Sequence, residues 1–481
     1  MNTHQSDDDE SSQARHDRLD RPLCVRIKVV RGTVGKAQLF PVPTIMPKVM
    51  FVDQLASDPI KQPEQLNLLK VLGPGLITGA SDDDPSGIAT YSQAGAQFGY
   101  GLTWVMLFSW PLMCAIQEIS ARIGRVTGRG LAGNLKQHYA APIVYGVVAL
   151  LVVANTINLG ADLGAMAAAL QLLVGGPQLA FVALFAVLSL ALEVFVRYSR
   201  YVSVLKWLTL SLFAYVGVAL VVHVPWWAVG RSLVLPQISA KPAYLTVLVA
   251  ILGTTISPYL FFWQAEEEVE EVKVVDGAIP LIRAPEQARG ELKRIRIDTL
   301  VGMGLSNLVA LFIIITTAAT LNARGITDIQ TSAQAAEALR PIAGKLVFLV
   351  FGLGIIGTGM LAVPVLAGSA AYAMGEAFGW HVGLARKMER AKAFYATIAV
   401  AMVVGGLINF TPIDPMKALF WSAVVNGVVA VPVMVMMMLL SSNQSAMRHF
   451  RLPKLLKLLG WISVVVMAAA AVGMFATWGG S

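Results

Sequence analysis

Eleven apolar stretches follow one another along the chain, at 71–98, 101–121, 143–172, 179–196, 202–223, 243–265, 297–321, 343–373, 393–409, 413–440 and 458–478. Each is long enough to cross the roughly 30 Å of a bilayer core as a helix. Hydrocarbon offers the backbone no hydrogen-bond partner, so only helices and closed barrels span it, and long unbroken apolar runs are the helical solution. Only 14% of the residues are charged, against roughly 25% in a soluble domain. The expected fold class is therefore an all-α integral membrane protein with 11 transmembrane helices and the lipid bilayer as its main partner.

The net charge of +8 would suit a polyanion-binding protein, but its placement says otherwise. Lys and Arg concentrate in the loops after the even-numbered stretches, as in Arg122, Arg125, Arg129 and Lys136, or Arg448, Arg451, Lys454 and Lys457. The opposite loops are sparse, with Arg231, Lys241, Arg324, Arg340, Lys345 and Lys417. This asymmetry predicts a cytoplasmic N-terminus and an outside C-terminus in the cell inner (plasma) membrane. No nucleic acid and no obligate protein partner is expected. Cys24 and Cys114, the two cysteines, supply neither a disulfide framework nor a metal cluster, and no cofactor is expected.

Residues 1–62 differ in kind. MNTHQSDDDESSQARHDRLDR is polar, charged and without periodicity, which predicts a disordered cytoplasmic tail; a translation start at Met46 or Met50 is the competing reading. Residues 63–481 are expected to form one membrane domain, with short loops beyond residue 70 apart from the one near 266–296.

Two of the apolar stretches are interrupted. The first contains SDDDPSGIAT at 81–90 and the sixth contains GTTISPYLFFWQ at 253–264, five helices later. Pro85 and Pro258 each remove a backbone donor and crowd the preceding turn, so both helices should break there. Interrupted helices at equivalent places in two five-helix halves of opposite topology mark an inverted-repeat transporter, whose substrate binds at the breaks. An Asp at the bilayer centre costs about 2.5–3.5 kcal/mol even on insertion scales. Asp82, Asp83 and Asp84 must accordingly face water, a cation or half-helix ends, a solvated loop being the alternative.

The residues around the first break carry a resemblance. GPGLITGASDDDPSGIATYSQAGAQFGYGLTW and, from Gln117 to Gly133, QEISARIGRVTGRGLAG resemble the first two helices of the Nramp family of divalent-metal transporters. The resemblance extends over 70–478 and implies the family's LeuT-like 5+5 inverted repeat with broken helices 1 and 6, and an Nramp-like transmembrane transporter domain over 63–481. Position by position, it places the family's metal-ligand Asp on Asp84 and its ligand Asn on Gly87. The family's sixth-helix segment falls on Thr254 to Leu260, so that the ligating Met is Ser257 and the His after the Pro is Tyr259. The tenth-helix Gln falls on Ala423, with Asn426 one turn on.

These departures have a chemical reading. A thioether favours softer transition-metal ions, and a hydroxyl in its place leaves an all-oxygen site. Losing the Asn and Gln side chains should also widen the pocket, which suits a hydrated, octahedral Mg²⁺. The pattern resembles the Nramp-related magnesium transporters, and implies uptake of Mg²⁺ and Mn²⁺ by alternating access. A proton-coupled Mn²⁺/Fe²⁺ symporter is the alternative, and a sodium-coupled solute carrier of the same fold a weaker one.

The expected metal residues are Asp84, Gly87, Thr254 and Ser257, with carbonyls of Thr254 and Thr255 as acceptors at a half-helix C-terminus. Asp82, Asp83, Tyr259 and Asn426 are vestibule candidates. Asp162, alone among small and apolar residues, is a functional candidate by position; the resemblance implies a proton or polar relay there, and the alternative is a carboxylate bonded to Asn155, Asn158 or a neighbouring helix. Tyr259 in the histidine position argues against proton coupling, since a phenol does not titrate where an imidazole does. Glu266–Glu268, Glu270 and Glu271 read as a solvated loop, or else as a cation funnel at the cytoplasmic mouth. Glu118 and Glu193 should pair with the Arg residues after them, and Met434 and Met436–Met438 should face lipid or core. The chain is not expected to be an enzyme: no second Asp-rich membrane segment exists to hold a diphosphate, and no pattern flanks a protease dyad.

Overall fold

A computed structural model describes residues 78–79, 81–196, 209–275, 277–384, 386 and 388–478. The 1–62 tail, with Met46 and Met50, lies outside the described residues. The described chain is helical: α1 (Pro85–Phe98), α2 (Thr103–Thr127), α3 (Leu131–His138), α4 (Ala141–Val174), α5 (Gln178–Phe195), α6 (Phe213–Val221), α7 (Trp226–Val234), α8 (Pro242–Thr255), α9 (Pro258–Val274), α10 (Ala288–Thr320), α11 (Val347–Phe378), α12 (Lys392–Ile408), α13 (Pro415–Ser442) and α14 (Lys454–Trp478), with short helical turns between them.

Every apolar stretch overlaps one of these helices. By length and hydropathy, 8 helical runs are able to cross a membrane among the described residues, or 9 if the bent pair at α6 and α7 is one span. The first two stretches merge into one run, Pro85–Thr127, because a 3-10 turn at Gly99–Leu102 joins α1 to α2. α12 is a shorter apolar helix. Large apolar side chains stand fully outward, among them Val187, Leu220 and Val472, where a soluble protein would place polar ones.

The interior is built on close helix crossings. α4 packs along α11 and α13, α8 along α13, and α1 is enclosed by α8, α10 and α13. Small residues let the backbones meet. At Gly253 in α8 a Cβ would lie 2.1 Å from the Ala423 carbonyl and 2.4 Å from the Gly427 amide of α13, so that crossing is possible only without a side chain.

Several charged residues differ from the sequence expectation. The Glu266–Glu271 run is not a loop, because α9 continues through it to Val274. Glu266 and Glu268 are buried. Arg294 of α10 reaches Glu268 at 2.7 Å and Glu271 at 2.9 Å, and this arginine, distant in sequence, lets Glu268 fold inward. Glu118 pairs with Arg122 at 2.6 Å, whereas Arg125 turns to Glu291 at 3.1 Å. Glu193 has no hydrogen-bond partner among the described residues, and the Arg197 and Arg200 expected beside it lie outside them. Met434 and Met436–Met438 are buried core.

The glycine crossing makes a direct prediction. Gly253→Ala should lower the melting temperature of the detergent-purified protein, by the roughly 1–3 kcal/mol that overpacking costs. Gly146→Ala, at a helical position with nothing within 4 Å, should leave it unchanged or slightly raised. Equal melting of the two variants in a thermal-shift assay would contradict the packing.

Candidate functional site

The two breaks share one local design. Residues 81–82 are helical, Asp83 bends, and Asp84 is extended (φ −68°, ψ 169°) before Pro85 opens α1. At the other break α8 ends at Thr255, Ser257 is extended (φ −76°, ψ 137°), and Pro258 opens α9. Proline suits a first helical position because its missing N–H would have no partner there, and it pushes the residue before it into extended geometry. Each Asx-Pro or Ser-Pro pair therefore writes both a stop and a start.

The caps then diverge. Asp84 caps α1: its Oδ1 accepts from the Ser86 hydroxyl at 2.6 Å and the Gly87 amide at 2.7 Å. Ser257 makes no cap bond. Its hydroxyl turns back, donating to the carbonyls of Gly253 at 2.6 Å and Thr254 at 2.9 Å, and so satisfies the C-terminal end of α8.

Asp84 Oδ2 faces the other way and joins three elements. It accepts from Asn158 Nδ2 of α4 at 3.0 Å and from the Tyr259 hydroxyl of α9 at 3.2 Å. Asn158 is itself fixed, its Oδ1 accepting from Ser422 at 2.7 Å and from Asn426 Nδ2 at 3.4 Å, both on α13. The result is a buried chain of side chains from α13 through α4 to the Asp84 carboxylate. Asn426 Oδ1 has no hydrogen-bond partner among the described residues.

Asp82 and Asp83 belong to a different neighbourhood. Ser306 of α10 lies 2.5 Å from Asp82 Oδ2 and 3.1 Å from Asp83 Oδ1, while Asp82 Oδ1 is without a hydrogen-bond partner among the described residues. The three consecutive aspartates thus split between α10 on one side and α4 with α9 on the other. One more polar contact ties the segment before the break to α9, from the Thr78 hydroxyl to Gln264 Oε1 at 2.6 Å.

Gly87 faces the second break. A Cβ there would stand 3.2 Å from both Thr254 Oγ1 and Tyr91 Cε2, so the room expected from a missing Asn side chain is taken up by Tyr91 and Thr254. Ala423 is buried against α8. Asp162 is fully buried, and neither carboxylate oxygen has a hydrogen-bond partner among the described residues. The asparagines proposed to hold it are engaged elsewhere: Asn155 donates to the Leu366 carbonyl at 3.0 Å and to Ser369 at 2.8 Å, and Asn158 to Asp84.

A cavity of about 450 Å³ opens between α1, α8 and α13, with Gln93, Gln97, Thr246, Lys417 and Trp421 on its walls. Sequence reasoning missed the roles of Asn158, Ser422 and Ser306. Asn158 and Asp162 are one turn apart on one face of α4, and Ser422 is one turn before Asn426; each was a polar residue in an apolar helix and so visible in principle.

Residues 75–477 match the family described as natural resistance-associated macrophage protein-like, Nramp. The divalent metal cation transporter MntH of Burkholderia ambifaria is 26% identical over 407 residues, 83% of this chain and 87% of that protein. The fold is similar to that of the Eremococcus coleocola manganese transporter, at a TM-score of 0.68 and 17% identity over 88% of this chain and 91% of that one. Mhp1, a nucleobase-cation-symport-1 family transporter, superposes with a TM-score of 0.50 at 13% identity, over 85% of this chain and 93% of that one. With its family match running through nearly all of the membrane domain, this chain belongs to the Nramp family of divalent-metal transporters.

Proposed function

We propose that the chain carries hard divalent cations, chiefly Mg²⁺ and Mn²⁺, into the cell by alternating access, binding the ion at the two helix breaks. The observation that carries this reading is the Asp84 carboxylate, buried where α1, α4 and α9 meet and held by hydroxyl, amide and phenol groups alone. A carboxylate oxygen is a hard ligand and suits a hard cation. The manganese transporter of Eremococcus coleocola and the divalent-cation transporter of Burkholderia ambifaria carry cargo of the same charge class.

In this reading Asp84 is the anionic anchor, Thr254 and Ser257 supply oxygen from the end of α8, and Gly87 keeps the two breaks in contact. Tyr259 and Asn426 orient polar groups toward the ion, and Asp82 and Asp83 attract it. Because the carboxylate already accepts four hydrogen bonds, the ion reaches it by displacing Asn158 or Tyr259 from Oδ2, or through its own water shell. The architecture proposed around the site is 11 spans in a 5+5 inverted repeat of the LeuT type, supported by the matching extended-residue-then-proline design of both breaks. The crowding of basic residues in alternate loops supports a plasma-membrane orientation with the N-terminus inside and the C-terminus outside, which puts the 450 Å³ cavity on the outer side as the entrance.

Tyr259 in place of an imidazole supports uptake without proton coupling. The membrane potential suffices as the drive, at about 4.6 kcal/mol per 100 mV for two charges. One observation favours a second reading, proton-coupled symport: Asp162 is buried with neither carboxylate oxygen hydrogen-bonded among the described residues, and a carboxyl so placed can carry a proton.

Proteoliposome uptake of Mg²⁺ and Mn²⁺ with a luminal pH dye tests the site and the coupling together. Asp84→Ala should cut uptake of both ions by more than about ten-fold, since one charged contact is worth about 1.5–3 kcal/mol. Asn158→Ala should weaken it less. Native uptake by Asp84→Ala would mean the ion binds elsewhere, and luminal acidification that tracks metal entry would establish the symport reading. Ser257→Met should raise Cd²⁺ uptake relative to Mg²⁺; an unchanged selectivity profile would show that this position does not face the ion.

A further inference from the structure

We propose that the connection between α13 and α14 is a binding site for the phosphate of an anionic phospholipid. A cavity of about 220 Å³ lies there, lined by Ser442, Asn443, Gln444, Arg448, Arg451 and Lys457 among others. It is several times the roughly 30 Å³ of a water molecule in the liquid, and three cationic side chains converge on it.

Three basic side chains share this one cavity, and no carboxylate lines it. Some arginines elsewhere have carboxylate partners: Arg122 with Glu118 and Arg125 with Glu291 on α2, and Arg294 with Glu268 and Glu271 on α10. Arg448, Arg451 and Lys457 make no ion pair among the described residues. No Asp or Glu follows Asp414 in the chain, so neither α13 nor α14 can supply one. An anion from outside the protein is the charge that completes the cluster.

The backbone gathers the bases. Arg448 adopts φ 47°, alone among the described non-glycine residues in being positive, and this geometry persists only where the surroundings hold it. It ends the short helical turn Gln444–Met447 and sends the chain round the cavity through Arg451 to Lys457. Two guanidinium groups present paired donors to phosphate oxygens, and the Ser442 hydroxyl and Gln444 amide add neutral donors.

The neighbouring surface argues for a lipid rather than a free phosphate. Immediately beside Lys454 and Lys457, α14 turns outward Leu455 at 63% exposure and Leu458 at 57%, the apolar face on which acyl chains lie. Basic clusters at the point where a helix enters the bilayer recognise anionic headgroups in this way. The inference goes beyond metal transport and does not depend on it.

The test uses the delipidated full-length chain in detergent, titrated with phosphatidylglycerol, phosphatidylcholine or inorganic phosphate and followed by native mass spectrometry and thermal shift. Phosphatidylglycerol should bind and raise the melting temperature, phosphatidylcholine should do neither, and millimolar phosphate should not compete. Arg448→Gln with Arg451→Gln should weaken phosphatidylglycerol binding by about ten-fold or more, while Arg448→Lys with Arg451→Lys retains most of it. If the glutamine pair does not fold, Lys457→Gln alone should still bind measurably more weakly than the native chain. Equal affinity for the two lipids, or undiminished binding in the glutamine variants, would overturn the site; binding of phosphate with no preference for phosphatidylglycerol would overturn the lipid assignment.

Discussion

A carboxylate removed from water costs several kcal/mol unless charge-assisted hydrogen bonds or a cation replace its hydration, and the centre of this protein is organised by that constraint at Asp84. The chain meets it by stopping a helix. An unbroken α-helix leaves no backbone amide free to donate, whereas the first turn after a break offers several. Placing Asp84 just before Pro85 gives its carboxylate the Gly87 amide and the positive end of the α1 dipole. Asn158 and Tyr259 then bring α4 and α9 to the same group, and Ser422 and Asn426 extend the connection to α13.

On the proposed reading the same bonds link binding to motion. An ion that takes over Asp84 Oδ2 competes with a donor from α4 and a donor from α9, so its arrival changes what holds those helices together at the break. Asp82 and Asp83, anchored on α10 through Ser306, keep the preceding segment attached on the opposite side. The break is thus held by separate sets of contacts, each engaging a different part of the bundle.

Much of this was legible in the sequence, for definite physical reasons. Apolar length announced the helices, and an acceptor residue followed by proline announced both breaks, whereas Pro111, Pro364 and Pro432, which follow Trp, Val and Val, sit inside continuous helices. The partners of each polar side chain were not legible. Helical spacing puts Asn155, Asn158 and Asp162 on one face of α4, but only tertiary packing decides that Asn158 meets Asp84 and that Asp162 meets no donor among the described residues. Ser257 reads as a ligand by position, but the sequence does not show that its hydroxyl also donates to the carbonyls of its own chain. The glutamate run after the second break reads as solvated because the arginine that balances it, Arg294, sits on a later helix.

The most direct test of the central claim is the position of the ion. Anomalous scattering from crystals of the protein soaked in Mn²⁺ should place one peak beside Asp84 and the end of α8, either in direct contact with Oδ2 or one water layer from it. A peak confined to the Asp82, Asp83 and Ser306 side, or none within two coordination shells of Asp84, would contradict the account.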